Sequence, residues 1–336
     1  MKAIVLEEPG RAVIKDVPEP QRGAGDVLLA VRRIGLCGSD LNTFRGRNPL
    51  VSYPRIPGHE IAATIVDPGM HTEWAVGTHV TLSPYAACGS CPSCLRGCPN
   101  ACRENQTLGV QCDGALTECI AVPAAKLFRA ELSLKELCLV EPLTVGFHAA
   151  GRGRVAGGDN VAVFGCGGVG LGAIAGAAFR GARVIGVDVD EAKLEIARKA
   201  GAACTVNSKT QDLHEQLVEL TGGRGPDVVI EAIGLPATYR AAVEEVAYAG
   251  RVVYIGWAKE QVQYETRPFV HKELDILGSR NAMPDDFREV IRMLESKRFP
   301  VDAAVTHEVP FEQTPAILEA WNREPERFSK IMIEVG

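Results

Sequence analysis

Apolar and polar residues alternate in short runs through the first 140 or so residues, at 3–6, 27–31, 61–66 and 79–82, with Gly and Pro between the runs. Period-two alternation bounded by turn residues marks half-buried strands, so this stretch predicts a mostly β domain. From about Asp159 the pattern changes. Apolar runs at 161–164, 183–187, 228–230, 252–255 and 274–277 are separated by stretches with helical spacing, such as 191–200 and 237–247. Strand–helix alternation predicts a doubly wound α/β unit, a parallel sheet covered on both faces. From roughly Pro284 the chain reads as helix then strand, ending in 330–335. The expected layout is 1–142, 143–279 and 280–336, with the last segment returning to the first unit.

One stretch imitates a membrane span. Residues 161–179 carry no charge, but Gly165, Gly167, Gly168, Gly170, Gly172 and Gly176 interrupt them. These glycines predict strand, turn and helix in place of a span. Residues 1–10 lack the basic-then-apolar order of a signal peptide and read as a strand entering an acidic turn.

Composition narrows the class. The 336 residues are 46% hydrophobic and 23% charged, which predicts a packed core and excludes a disordered chain. A net charge of -6 offers no basic face for nucleic acid. The expectation is a cytoplasmic protein without membrane or nucleic-acid partners. Eleven cysteines then need a reason other than disulfides, above all the five between Cys88 and Cys102.

Candidate chemistry begins at the run from Val161 to Gly170, VAVFGCGGVG. A strand enters a turn built on Gly165, Gly167, Gly168, Val169 and Gly170, and a helix follows. Gly165 allows the tight turn, Gly167 lets backbone approach a pyrophosphate, and Gly170 lets helix and sheet pack closely. The pyrophosphate would sit on the helix N-terminus, where free N–H groups and the dipole attract anions. The next strand ends in Asp188, placed to accept from the adenosine ribose and to repel a 2′-phosphate, which predicts NAD over NADP. The alternative is that Asp188 only caps the helix beginning near Glu191.

Cys88, Cys91, Cys94 and Cys102 supply four thiolates in a short loop, a set suited to a closed structural zinc. Cys88, Cys91, Cys94 and Cys98 followed by Pro99 also fit an iron–sulfur spacing. Two further segments, GLCGSD (35–40) and PGHE (57–60), carry thiolate, imidazole and carboxylate. Zinc accepts all three and can keep a position open for substrate.

With VEPLTVGFHA (140–149) and GCGGVG (165–170), these motifs resemble the zinc-containing medium-chain dehydrogenases, the superfamily of alcohol, sorbitol and threonine dehydrogenases. They occur in the family's order and span nearly the whole chain. SYPRIPGHE (52–60) and HKELDILGSRNAMPDDF (271–287) are similar to the sugar-acid branch, the hexonate (L-galactonate and L-gulonate) 5-dehydrogenases. The resemblance implies a GroES-like catalytic unit, a Rossmann unit, NAD, two zinc ions per chain and assembly as a homodimer or homotetramer.

Residue by residue, it implies that Cys37 and His59 bind the catalytic zinc, with Glu60 or Glu141 as the carboxylate. Asp40 would orient the histidine. Ser39 would stand beside the substrate hydroxyl, Lys193 beside the adenosine ribose, and Lys330 near the pyrophosphate. Cys88, Cys91, Cys94 and Cys102 would hold the structural zinc and leave Cys98 a spectator. Many relatives carry a proton-relay histidine where this chain has Asn42, whose amide cannot titrate. The proton exit would then run through Ser39, the cofactor ribose and solvent.

The expected reaction moves a hydride from a secondary hydroxyl to the nicotinamide, with zinc as Lewis acid. Arg45, Arg47, Arg55 and Arg280 are candidates to meet a substrate carboxylate, and Asn281 to meet a hydroxyl. A neutral polyol is the second reading. Two others come from different classes: an iron–sulfur electron carrier, and a dinucleotide-binding protein that turns over no alcohol.

Overall fold

A computed structural model describes all 336 residues as two compact units, Met1–Glu141 with Val301–Gly336, and Pro142–Pro300. The junction falls inside a helix, Leu134–Arg152, at Pro142.

The first unit is built on a seven-stranded sheet. Its path runs His307–Pro310, Ile331–Glu334, Asp26–Leu36, Glu60–Asp67, His79–Leu82 and Leu127–Arg129, and Cys119–Pro123 pairs with the long strand Asp26–Leu36. That strand alternates buried and half-exposed residues before becoming fully buried at Ile34–Leu36. Its apolar face packs with Ile4, Leu6, Ile61, Ile65, Leu82 and Ile333. Ile331 lies opposite Leu36, and Glu60 opposite Gly35. The register therefore brings three distant parts of the chain to one end of the sheet.

The second unit holds a six-stranded parallel sheet in the order Cys204–Asn207, Arg183–Asp188, Asn160–Phe164, Val228–Glu231, Arg251–Tyr254, Asp275–Gly278. Numbered within the unit this is 3-2-1-4-5-6, the doubly wound dinucleotide-binding order. Its topological switch lies beside Asn160–Phe164, whose carboxyl end leads into the glycine turn. The uncharged 161–179 stretch is this strand followed by the helix Gly168–Phe179. No helix is long and apolar enough to cross a membrane.

The expected third segment begins later than 280. The helix Pro284–Glu295 buries Phe287, Val290, Ile291, Met293 and Leu294 within the second unit. His148 Nδ1 meets Asp286 Oδ2 at 2.9 Å, and Arg180 pairs with Glu289 at 2.5 Å. These contacts hold the helix, so the return to the first unit starts at Val301.

Candidate metal and dinucleotide sites

The four-cysteine loop lies between two short paired strands, Tyr85–Ala86 and Gln106–Thr107. All four cysteines are free thiols, and their ligand atoms lie within 4.8 Å of one another. Sγ–Sγ distances are 3.5 Å for Cys91–Cys94, 3.8 Å for Cys91–Cys102 and 3.5 Å for Cys88–Cys102. A tetrahedral zinc with Zn–S near 2.3 Å sets sulfurs about 3.8 Å apart, so the cradle fits one such ion. The backbone N–H groups of Cys88 and Cys91 donate to the Cys102 and Cys88 sulfurs, both at 3.3 Å. Ionisation is uneven across the cluster. A hydrogen bond from Ser93 brings the Cys91 thiol down to about 5, while desolvation pushes Cys94 up to about 12. A divalent cation would let all four ionise together. Cys98 stands outside, exposed, with its sulfur against Arg96 O at 3.8 Å. Sulfurs packed this closely, with Cys102 in place of Cys98, leave no room for an iron–sulfur cluster.

The second group joins Cys37, His59 and Glu60, again with ligand atoms within 4.8 Å. Cys37 is the N-cap of the helix Gly38–Phe44. His59 and Glu60 lead into the strand Glu60–Asp67. Asp40 ties the two segments: its Oδ2 accepts from Cys37 N at 2.8 Å, its Oδ1 from Gly58 N at 3.3 Å, and Oδ1 lies 3.9 Å from His59 Nδ1. Glycine makes room at two points. A Cβ on Gly35 would lie 1.9 Å from Glu60 Oε2, and one on Gly114 would lie 2.4 Å from Gly58 O. Only bare backbone lets Glu60 fold under the long strand and lets the 109–116 loop clamp the histidine segment.

The donors of this group lie close together, His59 and Glu60 buried and Cys37 half-buried. Burial works against charge on His59, yet Asp40, Cys37 and Glu141 hold its pKa well above the ordinary value. His59 Nδ1 and Ser39 Oγ are both buried without a hydrogen-bond partner. A thiol, an imidazole and a carboxylate with ligand atoms within 4.8 Å of one another are the donor types that zinc takes. Glu141 stands outside the group, and its Oε1 accepts from Tyr85 OH. The geometry thus favours Glu60 over Glu141 as the carboxylate of the group. Asn42 sits half-buried on the helix that carries Ser39.

Lys330 departs from the expectation drawn from the resemblance. Its Nζ lies 2.7 Å from both oxygens of Glu60 and 3.3 Å from Leu36 O. An ammonium has three donors, and these contacts occupy them. Lys330 is therefore the counter-ion of the buried Glu60 carboxylate instead of a free cation for a pyrophosphate. Nothing in the local sequence pointed to this pair, nor to Tyr85, whose only signal was its place three residues before Cys88.

In the second unit, Gly165 adopts φ +94 and donates to Val187 O at 2.8 Å. A Cβ on Gly170 would lie 1.8 Å from Gly165 O, whereas one on Gly167 would meet nothing within 4 Å. The turn is thus closed where helix meets strand and open where an anion would approach the helix N-terminus. Asp188 is not the helix cap. Asp190 is, accepting from Ala192 N at 2.9 Å. Asp188 Oδ2 instead accepts from Cys166 N, and Oδ1 from Val189 N, each at 2.8 Å. It staples the glycine turn to the end of its own strand. Lys193 is half-buried on the next helix.

The candidate arginines part company. Arg45 donates to Asn322 Oδ1 at 2.7 Å and to Asn322 O at 2.9 Å, so two neutral oxygens hold its charge. Arg55 pairs with Asp113 at 3.0 Å and is spent on the fold. Arg47 is exposed. In the second unit, Arg280 is exposed and Asn281 half-buried with φ 53.

Comparison with known proteins agrees with this geometry. Residues 23–131 match the alcohol dehydrogenase GroES-like domain, and residues 168–296 match the zinc-binding dehydrogenase domain. The L-galactonate-5-dehydrogenase of Escherichia coli K12 is 33% identical over 93% of this chain and 92% of its own. The sorbitol dehydrogenase of Bacillus subtilis is 34% identical over 95% and 93%. An alcohol dehydrogenase of E. coli CFT073, solved with NADH, superposes with a TM-score of 0.91 at 29% identity over 99% of both chains. A GroES-like unit with two metal-fitting groups, joined to a Rossmann unit with an open glycine turn, places this chain in the zinc-binding medium-chain alcohol dehydrogenases.

Proposed function

We propose that the chain oxidises a secondary hydroxyl of a sugar acid of the hexonate class to the keto acid, with NAD as acceptor. The observation that carries this is the Cys37–His59–Glu60 group beside the partnerless Ser39 hydroxyl. When bound, zinc supplies Lewis acidity there and NAD supplies the hydride acceptor. The protein's own residues do the rest. Ser39 Oγ accepts a hydrogen bond from the substrate hydroxyl and relays its proton by releasing its own toward solvent. Asp40 holds the Cys37 and His59 segments in register, and Lys330 balances Glu60. Asn42 offers an amide and no titrating group, so the proton relayed at Ser39 is not handed to residue 42.

NAD over NADP rests on Asp188, where a 2′-phosphate would meet a carboxylate already fixed by backbone N–H groups. The sugar-acid reading is supported by the L-galactonate relative and by Arg45, whose neutral partners leave its charge free to meet a carboxylate. The sorbitol relative supports the neutral-polyol reading. An NAD-reduction screen across hexonates, alditols and small secondary alcohols separates these. Hexonates should lead, and Arg45→Gln should raise KM for hexonates and not for alditols. Faster turnover of alditols would transfer the assignment to a polyol. Cys37→Ser should abolish turnover and keep NADH binding. A wild-type protein that binds NADH yet reduces no NAD with any of these alcohols would sink the reading.

Assembly as a homo-oligomer is part of the same proposal. The strand Asp275–Gly278 closes one edge of the parallel sheet, with Ile276 41% and Val270 85% exposed. Parallel edges are normally covered, and pairing with a second copy would cover this one. Light scattering should give a multimer, and Ile276→Lys should weaken it.

A further inference from the structure

Two buried carboxylates, Glu60 and Glu141, stand within electrostatic reach of His59, yet only Glu60 joins it and Cys37 in the metal-fitting group. We infer that Tyr85 is a positioning residue that chooses between them, its hydroxyl donating to Glu141 Oε1 and holding that carboxylate out of the metal's coordination sphere. The inference rests on reading Cys37, His59 and Glu60 as the zinc site.

Three features support it. The two carboxylates are treated differently: Glu60 has a cationic partner in Lys330, while Glu141 is held by a neutral phenol. A carboxylate beside a cation moves onto it unless it is restrained, and the Tyr85 hydrogen bond supplies a restraint of that kind. Tyr85 is also the donor by its chemistry, because a phenol carries an O–H and an ionised carboxylate can only accept. Finally, the phenol is anchored. Tyr85 pairs with Thr107, and the four cysteine ligands lie on the chain between these two partners. The loop that one metal would close therefore sets where the hydroxyl stands beside the other metal's group. Such an arrangement gives the structural centre a specific effect on the reacting one, beyond general stability.

The test uses full-length protein with cobalt(II) in place of zinc at the Cys37 centre and zinc kept at the four-cysteine centre. Cobalt absorbs strongly in a four-coordinate site and several-fold more weakly as ligands are added. Tyr85→Phe should weaken the visible bands several-fold as Glu141 joins the metal. Glu141→Gln alone should leave the wild-type spectrum. The double variant Tyr85→Phe/Glu141→Gln should recover it. A Tyr85→Phe spectrum identical to wild type, or one that Glu141→Gln does not restore, would overturn the inference, as would a spectral change in Glu141→Gln alone. Failure of the underlying metal reading looks different: the bands would then survive Cys37→Ser.

Discussion

Gly146 and Gly151 lie on the same helix, Leu134–Arg152, and alanine should act in opposite directions at the two. At Gly146 a Cβ would stand 2.0 Å from Ala173 N and 2.2 Å from Gly172 C, both backbone atoms of the helix Gly168–Phe179. The facing side is as tight, since a Cβ on Gly172 would lie 2.7 Å from Leu143 O and one on Gly176 3.0 Å from Phe147 Cα. No side chain can rotate away, so the helices must separate by about 1 Å to reach the 3.0 Å floor for real Cβ contacts. Overpacking of this kind costs about 3 kcal/mol, against a gain of ~1 kcal/mol from better helix propensity. The net loss of about 2 kcal/mol corresponds to roughly 4–8 °C in melting midpoint for a unit of this size. At Gly151 the nearest atom to a new Cβ is Arg180 Nη2 at 3.6 Å, ordinary contact. There only propensity acts, about halved because Gly151 is next to last in the helix, and Gly151→Ala should gain ~0.5 kcal/mol, or about 1–2 °C. Thermal melts of both variants, with NADH titration as the second readout, test this. NADH affinity should weaken in Gly146→Ala alone, because the displaced helix begins at the glycine turn. Equal midpoints, or destabilisation by both variants, would refute the reasoning.

Cys91→Ser should lower bound zinc from two ions per chain toward one, measured by metal analysis, and cost several kcal/mol of stability by opening the cradle. Asp188→Asn should raise the ratio of kcat/KM for NADP over NAD about tenfold, since removing one repulsive charge is worth ~1.4 kcal/mol. His214 Nδ1 meets Glu245 at 2.9 Å on the surface of the second unit, and this hydrogen bond raises its pKa above 6.5. A raised value means the pair stabilises the fold below the unfolded pKa and loses that contribution as pH climbs through the folded one. Glu245→Gln should return the NMR titration of His214 to the ordinary value and lower stability at mildly acidic pH only.

The sequence reading went furthest where local chemistry is dense. The strand at 161–164, its glycine turn and Asp188 announce themselves because turn, helix start and acidic strand end all fall within one βαβ unit. The cysteine loop is legible for the same reason, and the group that gathers is Cys88, Cys91, Cys94 and Cys102, the set that the resemblance implies. Helix Leu134–Arg152 escaped because much of its circumference is buried, which erases the helical period, and Pro142 lies inside it. The short strand Cys204–Asn207 carries no bulky apolar run. The late return at Val301 was hidden because an amphipathic helix does not announce which unit its apolar face will join. Lys330 and Glu60 are separated by 270 residues, and no local pattern pairs a lone lysine with a lone glutamate at that range.

That separation has a consequence for how the molecule is made. A ribosome releases Glu60 before Lys330, with the whole of Pro142–Pro300 between them. The inserted unit is complete in sequence before the unit around it can close, because the strand Ile331–Glu334 must still slot between His307–Pro310 and Asp26–Leu36. Until it does, the long strand has an open edge at 33–36 and Glu60 a charge without its counter-ion. The Glu60–Lys330 pair therefore forms only after the inserted unit has been synthesised. A chain cut just before Lys330 would carry a finished cofactor unit and an unfinished catalytic one.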